Sequence, residues 1–274
     1  MKLVWFPTWK CNNYNPESRC PYCPYGWDEE TDSLKYLGKV SCREGSIKPE
    51  TVKAFFENNM ETIGGTVEIT GGEPLMYKDL STVLDSNIGW AITSNTTIVP
   101  AIVKLIDSGA LKRCFSWTAS YHPFSEREKE FSAAIFLLAD HNINTHVTVV
   151  VSEETLPILR EITSFLGTLP ISGISWHLDA HKDISNGLRE AAEKIIGRVN
   201  WIAGEPKVNM NCLKNSNLLA LSPGGELFNC VSHCYSDKDP ITVIDGSYNL
   251  SELKPIIENC PDECFACCDW IKHV

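Results

Sequence analysis

The sequence predicts an α/β protein, an open partial barrel of six strand–helix units followed by a small α+β unit. Three observations carry this reading. Short apolar runs alternate with helical stretches six times between residues 2 and 204. The alternation stops near residue 205 and gives way to a hairpin signal. Twelve cysteines gather at two places, three near the start and seven near the end, with only Cys42 and Cys114 between them.

The elements read as follows. "KLVWFPT" is a strand, followed by a cysteine-bearing loop and a polar stretch. "KPETVKAFFENNMETI" (48–63) has helical spacing, with Pro49 suited to a first turn. "TVEIT" (66–70) is a β-branched run that ends in "GGEP", and "DLSTVLDS" is a short helix. "WAITSN" (90–95) is a strand; the helix 97–110 that follows carries Pro100 near its first turn and closes on Gly109. "CFSWTASY" (114–121) is a strand and residues 126–142 an amphipathic helix. "THVTVVV" (145–151) and "LPILREITSFLG" form the next unit, then "GISWHLDAH" (173–181) and a long helix over 186–204. Strands alternating with helices argue for a parallel sheet with crossover helices. Six units make a partial (β/α)6 TIM-like barrel, short of the closed eight-fold one. Ligands gather at the carboxyl ends of such strands. The three early cysteines, "GGEP" and "TSN" all fall there. Beyond the boundary on "GEPK", residues 206–274 hold a hairpin around "PGG" (217–230), a short helix in "SELKPIIE" and the cysteine-rich tail.

Bulk properties narrow the function. The 274 residues suit one large domain, or one domain with an appendage. A net charge of -11 with no basic stripe disfavours nucleic acid as a partner. "MKLVWFPTWK" lacks the apolar length and cleavage site of a signal peptide, and no apolar window spans a bilayer. The expectation is a reducing cytoplasm and no membrane. There, clustered cysteines bind metal more often than they pair.

Cys11, Cys20 and Cys23 sit in "WKCNNYNPESRCPYCPYG" after the first strand. A structural zinc site closes with four ligands, and iron–sulfur clusters usually take four cysteines. Three thiols are either half of a zinc site or a cluster with one iron left open. An open metal position is where a substrate can coordinate.

These residues resemble the radical S-adenosylmethionine superfamily. That family carries three cysteines after strand 1, the last two spaced C-x-aromatic-C, as in Cys20-Pro21-Tyr22-Cys23. It carries a Gly-Gly-Glu segment after strand 2, here Gly71-Gly72-Glu73-Pro74. The common spacing puts three residues between the first two cysteines, whereas this chain has eight. The resemblance covers residues 1–205 and implies a [4Fe–4S] cluster on Cys11, Cys20 and Cys23. Its free iron would bind S-adenosylmethionine, whose one-electron cleavage would give a 5′-deoxyadenosyl radical that abstracts hydrogen from substrate. Tyr22 would lie over the cluster edge, its main chain reading the adenine. Gly71 and Gly72 would allow close backbone approach to the methionine ammonium, with Glu73 in support. Ser94 and Asn95 would bond the ribose or carboxylate, and Ser120 would do the same from strand 4.

The tail resembles the twitch and SPASM extensions of that superfamily. Cys212 is followed by Gly225 and Cys230, then by Cys264-Phe265-Ala266-Cys267. This implies one auxiliary [4Fe–4S] cluster on Cys212, Cys230, Cys264 and Cys267, with Cys268 as a substitute for Cys267. Two clusters would draw in Cys234, Cys260 and Cys268, and a zinc site would use similar pairs. In the relatives an auxiliary cluster often accepts the electron of a substrate radical, which fits a net oxidation or a crosslink.

For the proton released in such an oxidation, the candidates are His122, His177 and Asp179, with His181 on the same strand face. A solvated polar face is the plainer reading of "HLDAH". The substrate is a small molecule of sugar, aminocyclitol or nucleoside type, or else a ribosomally made peptide. A flavodoxin or ferredoxin would supply the electron. The reading from another class is a non-catalytic electron carrier or a zinc scaffold.

Overall fold

The computed structural model describes residues 1–14, 20, 23, 25–28, 33–36, 39–43, 45, 47–178, 186–197, 199, 201–202, 218–229, 231–234 and 240–253. Its centre is a parallel sheet of six strands: β1 (Lys2–Trp5), β5 (Thr66–Ile69), β6 (Gly89–Ser94), β7 (Cys114–Tyr121), β8 (Thr145–Val151) and β9 (Gly173–Leu178). Each pairs in parallel with the next in that order. The crossover helices are α1 (Pro49–Asn58), α2 (Leu80–Leu84), α3 (Val99–Asp107), α4 (Glu128–Asp140), α5 (Leu159–Leu166) and α6 (Asn186–Ile196). The α/β partial barrel expected from the sequence is the observed fold.

Burial alternates along β5, β6, β8 and most of β7. In β8, Val147, Val149 and Val151 are buried while His146, Thr148 and Val150 are only partly so. A sheet covered by helices on both faces would bury every residue. Period-two burial means one face lies under helices and the other is a half-open concave surface. The covered face is aromatic: Trp5 meets Phe56 edge-on at 5.5 Å, and Trp90 meets Trp117 at 6.2 Å.

The sheet grows at both ends. The helix predicted over 186–204 stops at Ile196, because Gly197 adopts φ +80°, a left-handed turn that ends helices. Trp201–Ile202 is instead β10, parallel to β9. At the other edge the predicted hairpin forms from β11 (Leu218–Leu221) and β12 (Glu226–Phe228), with β13 (Thr242–Val243) beyond. β11 pairs in parallel with β1, Lys2 through Trp5 against Leu218 through Leu221, so the hairpin extends the barrel sheet itself. Its turn is tightly held. Gly225 has φ +82°, and a Cβ there would strike the Ile47 side chain. After the hairpin comes α7 (Val231–Cys234). The short helix expected in "SELKPIIE" begins as a 3-10 turn at Leu250–Glu252 and then passes outside the described residues.

The polar stretch after the cysteine loop holds a three-stranded antiparallel sheet, β2 (Tyr25–Asp28), β3 (Ser33–Tyr36) and β4 (Lys39–Arg43). The late segment 245–250 is fastened to α1 by Asn59, which is buried. Its Nδ2 donates to the Tyr248 carbonyl at 2.8 Å, and its Oδ1 accepts from Leu250 N at 2.6 Å.

Candidate active site

The carboxyl ends of β1, β5, β6 and β7 converge on one cavity of about 180 Å³. Cys11, Cys20 and Cys23 line it together with Gly71 and Gly72. Ser94, Asn95, Ser120 and His122, also predicted, stand on its wall, whereas the predicted Glu73 does not line it. Residues at positions 11 to 122, chosen from sequence alone, thus share one hollow. The sequence reading missed Asn13, Tyr14, Thr70 and Thr93, which also line it. Thr70 and Thr93 adjoin Gly71 and Ser94, so adjacency was the available signal for those two; Asn13 and Tyr14 offered none.

The loop reaches this place because two glycines make room for it. A Cβ on Gly72 would overlap the carbonyl oxygens of Trp9 and Lys10, and one on Gly71 would press on that of Thr8. Gly71 also has φ +141°, a conformation side chains disfavour. In the space they leave, Gly72 N donates to Thr8 O at 3.1 Å and Glu73 N to Lys10 O at 2.7 Å. The "GG" pair is therefore the seat of the cysteine loop as well as cavity wall.

Glu73 locks this seat to the next strand. Its carboxylate is wholly buried. Oε1 accepts from Leu75 N at 2.9 Å and Ser94 Oγ at 2.7 Å, and Oε2 accepts from Asn95 N at 2.6 Å. Asn95 carries the link onward: its Nδ2 donates to Asn12 Oδ1 at 2.6 Å, and Asn12 Nδ2 donates to Thr97 Oγ1 at 2.9 Å. Between them Thr96 holds φ +59°, strained for a β-branched residue, with Trp117 Nε1 donating to its hydroxyl at 3.0 Å.

Burial pushes the Glu73 carboxyl up from 4.5 to about 7, against the pull of three donated hydrogen bonds. The folded chain therefore holds this proton more tightly than the unfolded chain. Stability from the group is complete below pH 4.5 and is lost as pH rises to about 7. The total is on the order of 3 kcal/mol. Denaturant midpoints of the metal-free protein should fall between about pH 5 and pH 7, and Glu73→Gln should flatten that fall.

The thiols meet nearby donors. Asn13 N lies 3.4 Å and Asn95 Nδ2 3.9 Å from Cys11 Sγ, and Asn13 Nδ2 lies 3.9 Å from Cys20 Sγ. Burial, and then the Glu73 charge, push the Cys11 thiol up, so a metal that binds it must displace a proton. Among the described residues, no three Cys, His, Asp or Glu side chains are gathered tightly enough for a single ion. A polynuclear cluster asks for a wider set, because each thiolate meets a different iron. Asn13 Oδ1 is buried without a hydrogen-bond partner, so the side-chain amide turns only its N–H side to sulfur. Three thiols on one cavity and N–H donors aimed at two of them fit a thiolate-held cluster.

No family model matches the chain, and no curated protein matches it. Solved structures do match. Streptococcus suis SuiB bound to S-adenosylmethionine aligns with a TM-score of 0.56 and 12% identity, over 87% of this chain and 62% of SuiB. SuiB bound to precursor peptide SuiA gives 0.59 and 14%, over 87% and 61%. Histidine-tagged anSMEcpe with bound AdoMet gives 0.56 and 11%, over 92% and 77%. The fold is the partial barrel of SuiB and anSMEcpe. This chain spans about 62% of SuiB's length.

On that fold the remaining predicted residues divide. His122 lines the cavity. Burial pushes its imidazole down from 6.5 to about 4, so at neutral pH it is uncharged and a weak base. Ser120 Oγ shares a hydrogen bond of 3.2 Å with Thr148 Oγ1 on the concave face. His177, on β9, is partly buried and is not part of the cavity wall. Tyr22, Asp179 and His181 lie outside the described residues, as do Cys212, Cys230, Cys264 and Cys267. Cys234 is described and buried. No helix among the described residues is long and apolar enough to cross a membrane.

Proposed function

We propose that this chain is a radical S-adenosylmethionine enzyme. One observation carries the reading. The three cysteines, the Gly-Gly pair, Ser94 and Asn95 are far apart in sequence, yet they line one cavity at the carboxyl ends of adjacent strands. Cys11, Cys20 and Cys23 would hold a [4Fe–4S] cluster. Bound together, that cluster and S-adenosylmethionine supply a 5′-deoxyadenosyl radical able to remove hydrogen from an unactivated carbon. The chain's own work is placement. Gly71 and Gly72 offer bare backbone to the methionine end of the cofactor. Glu73 orients Ser94 and Asn95 toward it through the bonds described above. Ser120 offers a hydroxyl from β7, and His122 a neutral ring that hydrogen-bonds without adding charge.

The reaction on this reading is a net oxidation or crosslink of a small molecule of sugar, aminocyclitol or nucleoside type. An auxiliary twitch-like cluster on Cys212, Cys230, Cys264 and Cys267, in a unit spanning 206–274, would take the electron. His122, His177 and Asp179 remain the candidates for the proton, with His122 weakened by its low basicity. A flavodoxin or ferredoxin in the cytoplasm would be the reductant. A peptide substrate stands level with the small molecule, because SuiB bound to a precursor peptide and anSMEcpe bound to a peptide share this fold.

The test is anaerobic. The full chain is reconstituted with iron and sulfide, reduced, and given S-adenosylmethionine. A brown protein that forms 5′-deoxyadenosine is expected. A brown protein that forms none would be an electron carrier, and a colourless zinc-bound one a scaffold.

A further inference from the structure

We propose that Asn13 is a positioning residue for the cluster ligands, donating hydrogen bonds to the sulfurs of both Cys11 and Cys20 and thereby setting the cluster's reduction potential. This rests on the proposed function, since it concerns the same three cysteines. Asn13 is only 3% exposed. It follows Cys11 in a tight turn closed by Tyr14 N donating to Cys11 O at 3.1 Å. From there it addresses two thiols nine positions apart in the chain: its main-chain N–H meets Cys11 Sγ at 3.4 Å, and its Nδ2 meets Cys20 Sγ at 3.9 Å. Its Oδ1 is buried with no hydrogen-bond partner. The amide therefore turns its donor side to sulfur and leaves its oxygen unmatched. A neutral thiol is a weak acceptor and does little to offset the burial of an amide. A metal-bound thiolate is an anion, and charge-assisted bonds to it are shorter and stronger. The arrangement suits sulfurs that are deprotonated and ligating better than it suits neutral thiols.

Asn95 reinforces it from the end of β6, with its Nδ2 3.9 Å from Cys11 Sγ. Asn95 has another acceptor in Asn12 Oδ1, whereas the Asn13 side chain has only sulfur. Donors to the sulfurs favour the reduced, more negative cluster over the oxidised one and so raise its potential. Removing a donor lowers it.

The experiment compares the reconstituted full chain with Asn13→Leu, which keeps the side-chain volume and drops the amide. Both are poised at one fixed potential without S-adenosylmethionine, and the reduced cluster is counted by EPR. With iron content equal to wild type, the variant is expected to show about a tenfold lower reduced-to-oxidised ratio, equivalent to about 59 mV for one electron. An unchanged ratio would overturn the proposal. If Asn13→Leu loads no iron, the decision passes to the wild-type protein carrying 15N-asparagine. Pulsed EPR of its reduced cluster should then detect coupling to an asparagine nitrogen that persists in Asn95→Asp, and coupling that is absent or lost overturns the proposal. A wild-type chain that never loads a cluster overturns the proposed function and this inference with it, which separates that failure from an unmoved potential.

Discussion

Cys20→Ala is expected to abolish the formation of 5′-deoxyadenosine, down to the level of a protein-free reaction, and to cut iron and iron–sulfur absorbance to what an auxiliary cluster alone would hold. Cys20 is 6% exposed and lies on the same cavity as Cys11 and Cys23. A cluster held by only three thiolates has no spare ligand, so removing one leaves two irons without protein sulfur. Alanine adds no oxygen donor that could stand in. The fold should survive, because the residue sits in a loop outside the hydrophobic core. Far-UV circular dichroism of Cys20→Ala should overlay the wild type, while product vanishes and iron content and absorbance fall by the share of one cluster. Retained cleavage would show that Cys20 is not a ligand. Cys42→Ala is the matched control. It sits in register opposite Leu34 in the small antiparallel sheet and should keep full product.

Gly72→Ala is expected to damage the same site from the other side, by at least about 4 kcal/mol of stability. The added methyl would overlap two main-chain carbonyls, those of Trp9 and Lys10, and neither is a flexible side-chain end. The loop would have to lift, which breaks the Gly72 N–Thr8 O and Glu73 N–Lys10 O bonds. Lifting the loop also draws Cys11 from its place. Gly64→Ala supplies the contrast. Gly64 has φ +70° and nothing within 4 Å of an added Cβ, so only the left-handed backbone penalty applies, about 1–2 kcal/mol. Urea midpoints of the two variants should differ accordingly, and Gly72→Ala alone should lose the iron of one cluster. Similar midpoints for both would refute the seat described above.

Much of this was legible in the sequence, for identifiable reasons. β6, β7 and β8 are long β-branched or aromatic runs with strict alternation, and each was read to within about one residue of its observed end. The cysteines and "GG" are contiguous motifs whose chemistry is local. The sheet of β2, β3 and β4 escaped because its strands are only four or five residues long; Tyr25 and Trp27, Leu34 and Tyr36, and Val40 and Cys42 do alternate at period two, but each run is too short to stand out from its charged surroundings. The helix over 186–204 was read too long because helical periodicity runs on through Gly197, and only the backbone's left-handed turn reveals the stop. Asn13 has no pattern at all. Its meaning depends on where Cys20 returns after a loop of eight intervening residues, which spacing does not encode. Glu73 was visible as a motif residue, but the direction its carboxylate turns is fixed by Ser94 and Asn95 on another strand.

The parallel pairing of β1 with β11 joins residues 2–5 to residues 218–221. A strand made first thus waits for a neighbour made more than two hundred residues later. At ordinary translation speeds the delay is about 10–40 s. During it the nascent barrel holds β1 from one side only, with its other edge bare to solvent and to other chains. The cysteine loop hangs directly from that strand, so its final geometry is set after synthesis of the hairpin. On the proposed function, loading of a cluster would then wait for the hairpin, and slow expression at low temperature should raise the iron content of the isolated chain.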